Sequence, residues 1–276
     1  MSRSVLFWII AAVITIASGV YQRVTGPTYA VSGSVKVDGR TISYKLERSH
    51  PGPTNAPVEI KTQDQSISGV LQWKRFPTSD GWSSVPMTFA DGVLRGELPN
   101  QPAAGKLMYQ IELQKGETTE SVPAGDPIVI RFRGDVPIYV VIPHVLAMFI
   151  AMLFSIRAGL EIFSKEPKLK KLTYWTLGSL FVGGFILGPL MQWYAFNAWW
   201  TGWPFGTDLT DNKTAVAFLA WIVAAIALAK AKNPVRWTLA ASIIMLVVYL
   251  IPHSVMGSEL DYGKVDTKTK QLTPTQ

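Results

Sequence analysis

The sequence predicts a membrane α-helical bundle of about five transmembrane helices, with an all-β sandwich inserted after the first helix on the extracytoplasmic side. Three observations carry that reading. Apolar residues make up 48% of the chain and charged residues only 16%, and the apolar ones are gathered in blocks rather than spread periodically, as bilayer spans require. After the first block, a stretch of about a hundred residues alternates apolar and polar with the period of a half-buried strand. The basic residues outside that stretch concentrate in two of the connections between blocks, the asymmetry that sets membrane orientation.

Charge and cysteine content narrow the function classes. The net charge is +7, which would suit nucleic acid if it lay on one folded face. Thr28 to Asp135, however, carries twelve Lys/Arg against twelve Asp/Glu, so the surplus lies beside the apolar blocks. Nucleic acid is therefore not expected as a partner; the lipid bilayer is. Cysteine is absent, which excludes disulfides, thiolate metal sites, covalent haem attachment and a lipid-modified N-terminal cysteine.

Residues 1–27 contain the first block, Val5–Tyr21 (VLFWIIAAVITIASGVY), behind Arg3. One reading is a retained transmembrane anchor, for which this length barely suffices. The other is a secretory signal, with Ala17 and Gly19 as small residues at a cleavage site. The run is long for a signal core, which favours the anchor, and both readings place the following segment outside the cytoplasm.

Residues 28–135 read as a β-sandwich. Val31, Gly33, Val35 and Val37 alternate with polar residues, as do Ile42, Tyr44 and Leu46, and Asp38-Gly39 between them suits a type I′ hairpin turn. Further strands are expected at 58–61, 67–76, 85–90, 93–98, 106–114, 117–122 and 128–133, with turns at Asp91-Gly92 and Lys115-Gly116. The run Ala104-Gly105-Lys106-Leu107-Met108-Tyr109-Gln110-Ile111, followed by a hairpin and a Pro-rich return, resembles the late strands of fibronectin type III and immunoglobulin-like domains. That resemblance implies an immunoglobulin-like sandwich with Trp73 as its central aromatic, a fold more often used for docking and spacing than for catalysis. His50 reads as a solvated loop residue. No catalytic constellation is present in the domain.

Residues 136–258 read as a four-helix transmembrane domain, with spans near 137–156, 172–197, 214–229 and 237–252, and residues 259–276 as a polar C-terminal tail. Only Asp135 and Val136 separate the last strand from Pro137, too short a tether for the sandwich to swing freely. The connection 157–171 carries Arg157, Lys165, Lys168, Lys170 and Lys171 against Glu161 and Glu166, and a second basic turn carries Lys230, Lys232 and Arg236. By the positive-inside rule both are cytoplasmic. The expected topology is a multi-pass protein of a bacterial inner membrane, with N-terminus cytoplasmic and β-domain and C-terminus periplasmic. The 157–171 run also offers charge to anionic headgroups, although fixing orientation is the commoner role of such a run. Gly184 and Gly188, with Ser179 and Gly183, and Ala220 with Ala224 have the small-residue spacing that lets helix backbones approach closely.

Chemistry is concentrated at one level. The tripeptide Ile-Pro-His occurs twice, ending in His144 and His253, at predicted outer ends of spans. The aromatic-rich connection Gln192–Thr214 reaches the same level and carries Asp208 and Asp211, as does the segment with Glu259 and Asp261. Two imidazoles can ligate a b-type haem. His144, His253, Asp208, Asp211, Glu259 and Asp261 together can ligate a divalent metal, and ionisable groups at the membrane boundary can serve an ion path. The structural reading stands beside these: proline in a first helical turn, Asp211 capping the helix from Thr214, Lys213 and Lys230 snorkelling from that helix's ends, and aromatics at the lipid interface. Motifs of serine hydrolases, zincins and P-loop enzymes are missing from the sequence, so no catalytic residue is assigned.

The strings WPFGTDLTDNKT and IPHSVMGSELDY, with YVVIPHVLAMFIAMLFSIRAGLE before them, resemble a family of bacterial integral membrane proteins to which no activity is attached. The resemblance covers the last four spans. It implies an inner-membrane setting and supplies no site residues. Two functions are expected on these grounds: a membrane subunit whose β-domain docks other membrane or periplasmic protein subunits, or a membrane redox, haem or metal protein using His144 and His253.

Overall fold

The computed structural model describes residues 2–253, 255, 257 and 259–265. The chain divides into a helical unit, Met1–Pro27 with Val136–Ser258, and a β unit, Thr28–Asp135 with Glu259–Gln276.

The helical unit contains α1 (Arg3–Val24), α2 (Ile138–Gly159), α3 (Leu169–Phe181), α4 (Gly188–Phe196), α5 (Leu209–Lys230) and α6 (Pro234–Leu250). A 3₁₀ turn, Leu160–Phe163, extends α2, and a π turn, Val182–Leu187, joins α3 to α4. Four of these runs are long and apolar enough to cross a membrane: Arg3–Val24, Ile138–Phe163, Leu169–Phe196 and Leu209–Lys230. At 17 residues α6, close in length to the expected 237–252 span, is shorter than these four runs; a helix of that length spans about 25 Å, somewhat less than the roughly 30 Å hydrocarbon core.

Small residues set the helix spacing, since they let helix backbones approach closely. A Cβ on Gly183 would stand 2.7 Å from Met148 Sδ, one on Gly184 2.6 Å from Thr214 Cγ2, and one on Gly159 2.5 Å from Ser242 Oγ. Gly19 of α1 is equally tight against the Phe149 ring. Ala11, Ala151, Ala217, Ala224 and Ala241 are buried around Trp221 and Met245 in one core. The helix beginning expected at Thr214 starts earlier, because Asp208, not Asp211, is the cap: its carboxylate accepts the Thr210 N–H at 2.8 Å.

In the β unit, β1 (Val31–Val37) and β2 (Arg40–Leu46) form the expected hairpin, with Asp38 and Gly39 both at positive φ. A larger sheet runs in the order β3 (Ser49–Pro51), β11 (Ile128–Arg133), β9 (Lys106–Lys115), β5 (Ser68–Arg75), β6 (Ser83–Pro86), with β10 (Thr118–Val122) also on β9. A third sheet orders β4 (Ala56–Lys61), β8 (Val93–Leu98) and β7 (Thr88–Ala90). Residues from all three sheets share one apolar core.

Three expectations need correction here. The single strand at 85–90 is two strands in different sheets: the chain crosses between them at Met87, whose side chain is buried and whose N–H donates to Gly69 O at 2.8 Å. Trp73 is only partly buried; the aromatics enclosed at the centre are Tyr109 and Phe132, with the Tyr109 hydroxyl donating to Glu47 O at 2.8 Å. His50 lies on β3, paired parallel to β11, half-buried and edge-on to Phe132 at 5.7 Å. The segment from Glu259 also folds onto this unit: Glu259 pairs with Lys106, and the Tyr262 hydroxyl accepts from Lys106 N and donates to Lys106 O.

Phe132→Ala is expected to destabilise the β unit by about 3–5 kcal/mol, the usual cost of emptying a closed aromatic site, read from denaturant unfolding of the full chain. Hydrogen bonds from the Ser66 hydroxyl and backbone, aided by Lys115, hold the Asp64 carboxyl down from 3.8 to about 2. A lowered carboxyl stabilises the fold above its unfolded value and loses that contribution as pH falls through the folded one. The melting temperature should therefore drop between pH 4 and pH 2, with a shallower drop in Asp64→Asn.

Candidate functional site

At one end of the helical unit, side chains of α1, α2 and α5 meet backbone carbonyls of other helices. On α2, Pro143 supplies no N–H, and the following residue, His144, turns its ring toward the π turn. There His144 Nδ1 lies 3.0 Å from Gly183 O. A carbonyl only accepts, so Nδ1 carries the proton and, in the neutral ring, Nε2 keeps a lone pair. The π turn makes Gly183 O available to both partners, since Gly188 N–H reaches back five residues to the same oxygen. π turns of this kind recur at functional sites.

The C-terminal end of α6 has the opposite need: orphan carbonyls at the negative end of a helix dipole. Gln22 of α1 donates to Tyr249 O at 2.9 Å and to Ile251 O at 3.4 Å, and Lys213 of α5 donates to Ile251 O at 2.5 Å. Lys213 therefore does not snorkel as expected. It is 5% exposed, and its cation sits at the carbonyl end of α6, the negative end of that helix dipole. Tyr249 in turn donates its hydroxyl to Met148 O at 2.6 Å.

These crossings enclose a cavity of about 170 Å³ within the helical unit. Its walls are apolar, from Met148 and Phe149 of α2, Leu180 of α3, Ala217 of α5 and Val248 of α6. Its polar lining comprises Thr15, Gln22, His144, Lys213, Thr214, Tyr249 and His253. The two histidines noted in the sequence thus share one cavity, His144 half-buried and His253 exposed at its edge. Thr15 is 5% exposed, and its hydroxyl has no hydrogen-bond partner among the described residues. The donors available to a guest are the Thr15 hydroxyl, the Lys213 N–H groups beyond the one on Ile251, and one ring nitrogen of His253, while His144 Nε2 offers an acceptor lone pair.

Asp208 and Asp211 are not among the residues that line this cavity. Asp208 caps α5. Asp211 accepts from the backbone N–H of Thr201 at 2.7 Å and of Gly202 at 3.0 Å and from Gln192 Nε2. With Asn212 accepting from Trp203 N at 2.7 Å, it pins the aromatic connection to the first turn of α5. Glu259 and Asp261 belong to the β unit. Among the described residues, no three His, Asp or Glu side chains gather as a metal-binding group. The sequence showed the histidines but not their companions: Thr15 and Gln22 sit in a run that reads as an anchor, and Lys213 in a run that reads as a snorkelling terminus. One signal was there, a lysine five residues after a helix cap, on the inward face.

No family model, curated protein or solved structure matches the chain.

Asp211→Ala leaves two buried backbone N–H groups and the Gln192 amide without their acceptor. Each such loss costs about 1–3 kcal/mol, so the 197–208 connection should become protease-sensitive and the Trp fluorescence of the protein should shift, while the secondary structure measured by circular dichroism stays unchanged.

Proposed function

We propose that this chain is an integral membrane protein that binds a small lipid-soluble molecule bearing acceptor oxygens, carbonyl or carboxylate, in the cavity between α1, α2, α5 and α6. The observation that carries this reading is the presence of the Lys213 ammonium and the unpartnered Thr15 hydroxyl in the lining of one apolar-walled space. The polar lining is rich in donors, and a donor-rich pocket suits oxygen acceptors. The apolar walls suit the remainder of a molecule that partitions into lipid. The β unit, by analogy with the domains its sequence resembles, docks protein partners.

Orientation supports the same picture. Lys165 and Lys168 lie in the connection opposite the cavity end of α2, with Lys170 and Lys171 in the first turn of α3; Lys230 ends α5, Lys232 lies in the turn after it and Arg236 in the first turn of α6. Positive connections favour the cytoplasm, which puts the cavity end toward the periplasm of a bacterial inner membrane. The exposed Trp203 and Phe205 beside it suit the interfacial layer.

A second reading, a metal or haem bound through His144 and His253, is favoured by one observation. His144 gives its Nδ1 proton to a backbone carbonyl, as metal-ligating histidines commonly do, leaving Nε2 for a ligand bond. Against it stands the Lys213 ammonium in the same lining, which repels a cation.

The readings part on Thr15→Val and Lys213→Met. Thr15→Val removes an unpaired buried hydroxyl, so the empty protein should hold its stability or gain up to about 1 kcal/mol. Thermal stabilisation by a short-chain quinone or by dodecanoate should weaken about three- to tenfold in Thr15→Val and be lost in Lys213→Met. Failure of both probes to stabilise the wild type, together with a Soret band or a stoichiometric metal lost in His144→Ala, would transfer the assignment to the second reading.

A further inference from the structure

A second pocket, about 290 Å³, lies at the other end of the helical unit, where the start of α1 meets the end of α2 and the turn before α3. At its base are Arg157 and Glu161, a pair read from sequence as part of a basic connection that fixes orientation. Both are buried, at 5% and 1% exposure, and they are bonded to each other through Arg157 Nη1 and Glu161 Oε1. Glu161 is fully engaged, because its other oxygen accepts the Lys168 backbone N–H at 2.8 Å. Arg157 is not: its Nε has no hydrogen-bond partner among the described residues. The guanidinium is held in place by the faces of Phe7 and Trp8, each 5.4 Å from Cζ. Burying a guanidinium with one N–H unmet is costly, and the pocket it lines is where an acceptor would meet it.

The rest of the lining points to the charge of that acceptor. Arg3, Lys165 and Lys168 join Arg157 in the lining, against Glu161 and Glu166, so four cations face two carboxylates, one of them already consumed. Arg3, Lys165 and Lys168 make no ion pair within 4.0 Å among the described residues. Ser4 and Ser164 add hydroxyls, while Phe7 and the 67%-exposed Phe163 give the rim an apolar side.

We propose that this pocket binds a phosphate ester anion, with Arg157 as its rigid planar donor and Arg3, Lys165 and Lys168 closing over the charge. Fork-like guanidinium contacts and converging ammonium groups are the recurring means of holding phosphate oxygens. The same chemistry is offered by an anionic phospholipid headgroup and by a soluble phosphate, and the apolar rim favours the lipid. This site is independent of the cavity at the opposite end, and the two assignments stand or fall separately.

The test uses the full chain, delipidated in detergent. Native mass spectrometry after adding back either lipid should show retention of phosphatidylglycerol in preference to phosphatidylcholine. The triple variant Arg3→Gln, Lys165→Gln, Lys168→Gln, confined to exposed positions so that the buried pair remains intact, should weaken that retention by about fivefold per cation removed, on the order of a hundredfold in all. A control removing the same charge elsewhere, Lys230→Gln, Lys232→Gln, Arg236→Gln, should leave it within about twofold if the pocket rather than general attraction is responsible. Inorganic phosphate at matched ionic strength reports the other source: competition with phosphatidylglycerol, or thermal stabilisation lost in the pocket variant, would assign a soluble phosphate. Equal weakening in the two triple variants, or no response to either phosphatidylglycerol or inorganic phosphate, would overturn the proposal.

Discussion

The carbonyl end of α6 is the constraint on which the helical unit is arranged. A short apolar helix that stops inside protein leaves unpaired oxygens, and buried unpaired oxygens must be met. Gln22 and Lys213, from helices distant in sequence, both reach it. Meeting that need fixes α1 and α5 against α6 at one level, and Tyr249, one turn back, fixes α2 through Met148 O. The cavity is what remains when four helix ends are held by polar contacts and their apolar faces cannot fill the centre. Its donor-rich character follows from the same cause, since the groups that satisfy carbonyls are donors with N–H groups to spare.

The π turn supplies the complementary case. Inserting one residue into the α3–α4 run frees Gly183 O for His144 and turns the run at the point where Pro189 removes a further donor. The glycines that permit close approach on either side, Gly183 against Met148 and Gly184 against Thr214, keep this widened turn tightly packed. Small-residue spacing and the polar contact are therefore one device: the first brings the backbones near enough for the second to form.

Much of this was legible in the sequence because it repeats with a period. Alternation located most strands, blocks of apolar residues located the helices, and Asp38-Gly39 located a hairpin. What periodicity could not show are the residues that break it to serve another element. Met87 reads as mid-strand but carries the chain between two sheets. Asp211 reads as a cap but accepts from a connection ten residues before it. Lys213 and Arg157 read as boundary charges, as lysine and arginine near span ends usually are, yet each is buried by a partner that lies elsewhere in the chain or in the following turn. The pairing of His144 with His253 was visible only as a repeated tripeptide; that both line one cavity depends on how α2 and α6 are packed.

Helix α1 has a standing in the fold that its composition hides. Its first turn contributes Arg3, Ser4 and Phe7 to one pocket and its last turns contribute Thr15, Gly19 and Gln22 to the other. Between them Ala11 sits in the core at 0% exposure. A helix serving only to deliver the β unit across a membrane would need neither the buried hydroxyl at Thr15, which carries a free-energy cost while unpaired, nor an amide reaching the end of α6. Cleavage near Ala17 or Gly19 would take Arg3, Ser4 and Phe7 from one pocket and Thr15 from the other. In the helical unit α1 is a packed member of the bundle, with Ala11 in its core and Gln22 on the carbonyls of α6.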